Sequence, residues 1–286
     1  MSSDLGLVVF DAIEAFHAAA SPFLLEKEAE YGLMLGLICT YLNNPPTVLP
    51  FMALTYEDGE PSFAALYTGV CVILTRGRTS DIEALVETLE SRGIAVNGVV
   101  GPQTEVDSFS KQWCSRKGCM VKSITNQRIY EVREVIPAVN VHGSWRVART
   151  SDFDLVLAWM EEFHREAVPD QPYSLDALRN SLALRIGIGT MFLWEQDAHP
   201  VAMAGISRPT PRTYTVNAVY TPPEHRRNGY ATVLVAAISE FALSLGKEAA
   251  VLYTDLSNPT SNSIYTKIGY KPVCDSENRW FRYQEP

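Results

Sequence analysis

The sequence predicts a mixed α/β fold built as two domains. Three observations carry this. The chain has 286 residues, about twice the commonest domain size. Along its whole length, short apolar runs bounded by turn residues alternate with segments of helical period. The second half orders these segments as β-α-α-β-β-β-α-β-α-β. At 47% hydrophobic and 20% charged residues the chain has ample material for packed cores.

In the first half, Leu5, Val8, Val9, Ala12, Ile13 and Phe16 recur at three- and four-residue spacing and predict an amphipathic helix. A second helix is expected after Pro22, with Glu26, Glu28 and Glu30 near its positive end. Strands over 49–56 and 63–67 flank Asp58-Gly59, a hairpin signal, and another covers 70–75. Ser80-Asp81-Ile82-Glu83 reads as a capping box for a helix that stops at Gly93. A strand over 94–100 leads through Pro102 into a helix carrying Phe109 and Trp113, and strands over 120–124 and 128–135 follow. Residues 137–144 are expected as a short linker, leaving domains 1–136 and 145–286.

In the second half, 145–149 reads as a strand, and Ser151 or Asp152 caps a helix with Leu155, Trp159 and Phe163 on one face. A helix over 174–185 comes next, then a hairpin of 191–195 and 200–207 around Asp197-Ala198-His199. A strand over 212–220 leads to a long helix from 229 to 245 ended by Gly246. A strand over 250–253, a short helix over 258–268 ended by Gly269, and a last strand over 270–273 complete the order.

The formal net charge is -9 and the pI about 5.1, which argues against a protein that coats nucleic acid. The excess is uneven. Residues 1–140 hold ten basic against seventeen acidic side chains, residues 141–286 fourteen against sixteen, so an anionic ligand is expected in the second half. Cys39, Cys71, Cys114, Cys119 and Cys274 show no CxxC pair and no zinc spacing, and are expected as free thiols in a reducing compartment, with no metal site. The first sixteen residues carry acids where a signal peptide needs bases, and the apolar runs near 32–42 and 63–75 are too short to span a bilayer. A soluble, cytoplasmic protein without membrane partners is expected.

The most informative stretch joins the 212–220 strand to the long helix: Thr221-Pro222-Pro223-Glu224-His225-Arg226-Arg227-Asn228-Gly229-Tyr230-Ala231. Unpaired N–H groups at a helix start, backed by the helix dipole, make an anion site. Gly229 and Ala231 let the backbone approach a bulky phosphate, and Arg226 and Arg227 add charge. The sequence has no GxxxxGK[ST] and no GxGxxG, which excludes the common mononucleotide and dinucleotide loops. Read plainly, the stretch is also compatible with a basic surface turn.

Arg226-x-x-Gly229-x-Ala231, followed by Asn258-x-x-Ser261-Asn262-x-x-Tyr265-x-x-x-Gly269-Tyr270 and set in this element order, resembles the GNAT N-acetyltransferase superfamily over about residues 145–286. The resemblance implies a GNAT acyl-CoA N-acyltransferase fold and acetyl-CoA as co-substrate. It implies that Arg226, Arg227, Asn228, Gly229, Tyr230, Ala231 and Thr232 wrap the pyrophosphate. It places Val219 and Tyr220 along the pantetheine arm, with one amide facing the thioester carbonyl. Asn258 and Asn262 would touch the cofactor, and Tyr265 would protonate the departing thiolate.

The base that receives the amine proton is less visible, because no acid lies on 212–220 and Asn217 is its nearest polar side chain. Asp255 is the candidate carried forward, with Glu162, His164, Glu166 and Glu224, a water relay or a low-pKa amine as alternatives. The implied acceptor is a small-molecule or peptide amine. The tail of the first half, 94–100 through Pro102 into a helix, has a similar strand-loop-helix pattern without the Arg-x-x-Gly loop. It is therefore expected as a degenerate GNAT-like domain, which would give two in tandem. A non-catalytic CoA-binding protein is the competing expectation.

Overall fold

The computed structural model describes residues 6–138, 141–171 and 173–283, with the backbone alone at Thr260 and Ser261. These residues form two compact units, 6–128 together with 274–283, and 129–273. The unit boundary thus differs from the expected linker at 137–144, of which residues 139–140 lie outside the described ones. Residues 119–132, expected as two strands, form one strand, because Cys119–Val132 alternates its faces without a Gly or Pro to end it.

In the first unit, β1 (Val8–Phe10), α1 (Ile13–Glu26) and α2 (Glu28–Asn43) precede β2 (Phe51–Glu57), β3 (Glu60–Tyr67), β4 (Val72–Leu74) and α3 (Thr79–Ser91). Then come β5 (Gly98–Gly101), α4 (Gln103–Lys117) and the start of β6 (Cys119–Val132). The helix expected from Leu5 begins only at Ile13, since Val8–Phe10 pair antiparallel with Met52–Leu54 instead. α1 continues through Pro22, whose fixed φ is helical; the chain breaks at Lys27, with φ -129 and ψ 54. The Asp58-Gly59 turn has positive φ at both residues, 52 and 87, as a two-residue hairpin requires. The α3 box closes on Arg78 rather than Ser80, with the Arg78 amide donating to Asp81 Oδ2 at 2.8 Å.

Period-two alternation gives this unit two cores. Met52 and Leu54 face Phe16, Leu24, Met34 and Ile38 of α1 and α2. Ala53, Phe63 and Ala65 face Leu85, Phe109 and Trp113 of α3 and α4. The C-terminal strand β12 (Lys271–Tyr283) runs far past the expected 270–273. Its Glu277–Trp280 pair antiparallel with β5, and Phe281 joins the α3/α4 core. A Cβ on Gly98 would stand 2.6 Å from the Trp280 ring, so glycine there admits the strand.

The second unit holds β7 (Ser144–Val147), α5 (Phe153–Ala167), α6 (Leu175–Gly187), β8 (Met191–Gln196), β9 (His199–Ser207) and β10 (Thr213–Tyr220). After these come α7 (Tyr230–Ser244), β11 (Ala249–Asp255) and α8 (Pro259–Lys267). β7, β8, β9 and β10 pair antiparallel in sequence order, and β11 joins β10 in parallel. The expected element order holds throughout this unit. α7 packs Leu234 and Ile238 against Ile206, Val216 and Leu252. α5 and α6 cover the other face, with Trp159 and Leu182 against Leu193, Met203 and Ala218.

The start of α5 is fixed electrostatically. Arg146 donates to both oxygens of Asp152, at 2.6 and 2.9 Å, and to Glu195 at 2.7 Å, while the Arg149 amide donates to Asp152 at 2.7 Å. The Arg146 guanidinium holds the Asp152 carboxyl below its ordinary range. A lowered carboxylate pKa stabilises the fold above the unfolded value, near 3.9, and this is lost as pH falls through the folded value. Asp152→Asn is therefore expected to cost about 1–2 kcal/mol at neutral pH in denaturant unfolding, with the difference from wild type narrowing below about pH 4.

All five cysteines are free. Among the described residues no helix is long and apolar enough to cross a membrane.

Candidate functional site

The end of β10 is distorted where the motif begins. Asn217 pairs with Gly205 and Tyr220 with Met203, so the register slips by one residue between them, and Ala218 takes φ 50. A left-handed alanine is strained by roughly 1–2 kcal/mol, and a bulge of this kind re-aims a strand end. On its other side β10 pairs with β11 through Thr213–Thr215 and Ala249–Val251. Beyond Thr215 the register continues along β9, and the ends of β10 and β11 part. Val219 is packed against the α7 side. Tyr220 is buried on the α5 side, where its hydroxyl donates to Glu162 at 2.5 Å. Burial, then that carboxylate, push the Tyr220 hydroxyl up to about 12.

Two residues of the loop after β10 take backbone conformations that favour glycine. Arg226 is extended, Arg227 has φ 68 and Gly229 φ 81. A Cβ on Gly229 would in addition meet Val141 at 3.0 Å. Asn228 folds its amide back on the loop carbonyls of His225 and Arg226, at 3.1 and 3.4 Å. α7 then starts with no side-chain cap and no acid in its first turn. Its first bond onto the loop is from Val233 N to Gly229 O at 3.2 Å. The amides of Tyr230, Ala231 and Thr232 precede that bond and have no helical acceptor. This is the arrangement an anion needs.

Side chains refine the expectations. The Arg226 guanidinium donates to both Glu166 oxygens, at 2.7 and 2.9 Å, and to Thr221 O at 2.9 Å, and lies 5.6 Å over the Tyr220 ring. Both arginines are exposed, and the charge of Arg226 is matched by the Glu166 carboxylate of α5. Tyr230 is buried with its hydroxyl on Gln196, so its amide is what faces the loop. Ala231 and Thr232 are half-buried on the first turn.

Past β11, Asp255 Oδ1 accepts from Ser257 N at 2.7 Å, and Asn262 Nδ2 donates to Asp255 O at 3.2 Å. Asn258 stands just before α8, its amide on Asp255 O at 3.1 Å and its carbonyl accepting from Asn262 N at 3.2 Å. These three residues build the turn into α8. Tyr265 is buried against the Tyr270 ring, with centroids 5.9 Å apart. His164 stacks on Tyr173 at 4.6 Å, and burial lowers its pKa; Glu224 is exposed in the loop.

The structure also gathers residues that carry no motif. Arg185 of α6 reaches Asn217 Oδ1 at 2.7 Å, Asn217 donates to Ser207 at 2.5 Å, and Gly205 lies beneath the Arg185 guanidinium. The strand-to-helix step of the first unit is different. β5 passes through Pro102 directly into α4, and Glu105 in its first turn is buried, accepting from Gly77 N at 3.2 Å. A carboxylate stands there where α7 presents bare amides.

The sequence model of the acetyltransferase (GNAT) family matches residues 153–270. No curated protein sequence matches the chain. Among solved structures, a Drosophila protein aligns at 12% identity over 96% of this chain and 98% of its own, with a TM-score of 0.67. A GNAT-family acetyltransferase from Colwellia psychrerythraea aligns at 10% identity over 96% and 99%, with a TM-score of 0.58. A tandem GNAT protein from the clavulanic acid biosynthesis pathway aligns at 13% identity over 99% of each chain, with a TM-score of 0.57. Residues 153–270 therefore match the acetyltransferase (GNAT) family model, on a chain that has the fold of GNAT structures over nearly its whole length.

Proposed function

We propose that the protein is an acetyl-CoA-dependent N-acetyltransferase that moves an acetyl group to a primary amine by direct attack in a ternary complex. The observation that carries this is the uncapped start of α7 behind left-handed Arg227 and Gly229, set at the end of the bulged β10. Bound acetyl-CoA supplies an acetyl group activated as a thioester. The amides from Arg227 to Thr232 hold its pyrophosphate, with Arg227 adding charge. The parted end of β10 offers Val219 and Tyr220 backbone groups to the pantetheine arm, and Asn258 and Asn262 border it from the α8 side.

Tyr265 gives a proton to the departing sulfur in this reading. Glu162 is favoured over Asp255 for taking the amine proton. Tyr220 holds Glu162 at the end of β10, whereas Asp255 is turned onto the Ser257 amide. The first unit is a degenerate GNAT-like partner, its helix start closed by Glu105. The setting is the cytoplasm, with amines as acceptors and no nucleic-acid or membrane partner.

At acetyl-CoA one hundred times its Kd, ligand linkage adds about 2.7 kcal/mol, so the melting temperature is expected to rise by roughly 5–10 °C. No rise at millimolar acetyl-CoA contradicts the reading. Thiol release on adding amines completes the test, because a non-catalytic CoA-binding protein would show the thermal shift and release no thiol.

A further inference from the structure

Two arginines on the α6-covered face of the second unit have no acid to meet. Arg185 lies across β9, where a Cβ on Gly205 would stand 2.0 Å from its guanidinium. It reaches the neutral amide of Asn217, and its Nε is buried without a partner. Arg208, at the end of β9, takes φ 50, lies 5.5 Å over the Tyr253 ring and also buries its Nε without a partner. Among the described residues neither guanidinium forms an ion pair with a carboxylate. Burial lowers both, and Arg208 further lowers Arg185.

Removing two like charges from water without a counter-charge is unfavourable, and proteins normally pair such groups. A strained φ at a bulky residue likewise marks a position held for a purpose. Guanidinium groups match a planar carboxylate in shape and charge. The arginines also sit beside the reaction site. Asn217, which Arg185 grips, stands two residues before Val219 across the β10 bulge.

We infer that Arg185 and Arg208, aligned by Asn217, Gly205 and Tyr253, bind the carboxylate of the amine acceptor, so that the acceptor is a free amino acid. This rests on the transferase reading above, and the experiment separates the two. Thiol release is measured with the twenty common amino acids, each against its own carboxamide. The acid of the preferred pair is expected to exceed its amide about a hundredfold or more in kcat/KM. Arg185→Gln and Arg208→Gln are each expected to raise the acceptor KM about tenfold or more, as for a lost charged hydrogen bond. The KM for acetyl-CoA stays within twofold, and Arg208→Lys recovers part of the loss. Either variant alone is sufficient if the other fails to fold by circular dichroism.

Amides used as well as acids, or unchanged acceptor KM in the folded variants, overturn the inference. Saturation-transfer NMR with the same amino acids reads the site without turnover. Binding that Arg208→Gln abolishes upholds the carboxylate site even if no thiol is released. Absence of binding by every acid overturns it even where simple amines release thiol.

Discussion

An Ala231→Asp variant is expected to fold at least as stably as wild type and to lose acetyl-CoA affinity by about a hundredfold or more. Ala231 is the second residue of α7, a helix with no side-chain cap and no acid in its first turn. A carboxylate there meets the positive end of the helix dipole and adds about 0.3–1 kcal/mol of stability. The same carboxylate occupies the potential that the phosphates need. Like charges about 4 Å apart at an effective dielectric of about 20 repel by ~4 kcal/mol, more than a hundredfold requires. Calorimetric titration with acetyl-CoA and a denaturant melt check both halves. Gained stability with wild-type affinity removes the α7 start from the site.

Tyr265→Phe is expected to lower kcat about a hundredfold, the low end of what a positioned general acid supplies, while leaving acetyl-CoA affinity within about twofold. The ring stays against Tyr270, so the core is kept. Tyr270→Phe is the matching control. Its hydroxyl pairs with Ser239 at 2.8 Å in the core under α7, so its removal is expected to shift the melting temperature and leave kcat near wild type. Single-turnover kinetics with a saturating amine separates the chemical step from release. A Tyr265→Phe enzyme with unaltered single-turnover rate excludes the hydroxyl as proton donor.

The parts of this account legible in the sequence are those set by backbone conformation. The two-residue hairpin turns at Asp58-Gly59 and Asp197-Ala198 all take the positive φ values their positions require. Gly229 reads as a point of close backbone approach for a phosphate, and its φ of 81 adds a left-handed position that favours glycine. Val8-Val9-Phe10 was not separable by pattern, because three apolar residues fit either period and a partner strand forty residues later decides between them.

The assignment of 274–283 to the first unit was hidden for a similar reason. It depends on Glu277–Trp280 pairing with Gly98–Gly101, far upstream. Side-chain partners were least visible. Arg226 was read as a phosphate ligand from its neighbours, and sixty residues separate it from the Glu166 carboxylate it holds. Arg185 and Arg208 stand in no motif at all. Only the packing of α6 on β9 sets Arg185 over Gly205 and against Asn217.

The central claim is that the backbone from Arg227 to Thr232 in the second unit holds acetyl-CoA. Amide hydrogen exchange with and without acetyl-CoA reads those N–H groups directly, because an opened or unbonded amide exchanges until an acceptor protects it. Protection is expected at 227–232 and along 218–220, with the start of α4 at 103–106 unchanged. Unchanged exchange at 227–232 under saturating acetyl-CoA, or protection confined to 103–106, would contradict the account.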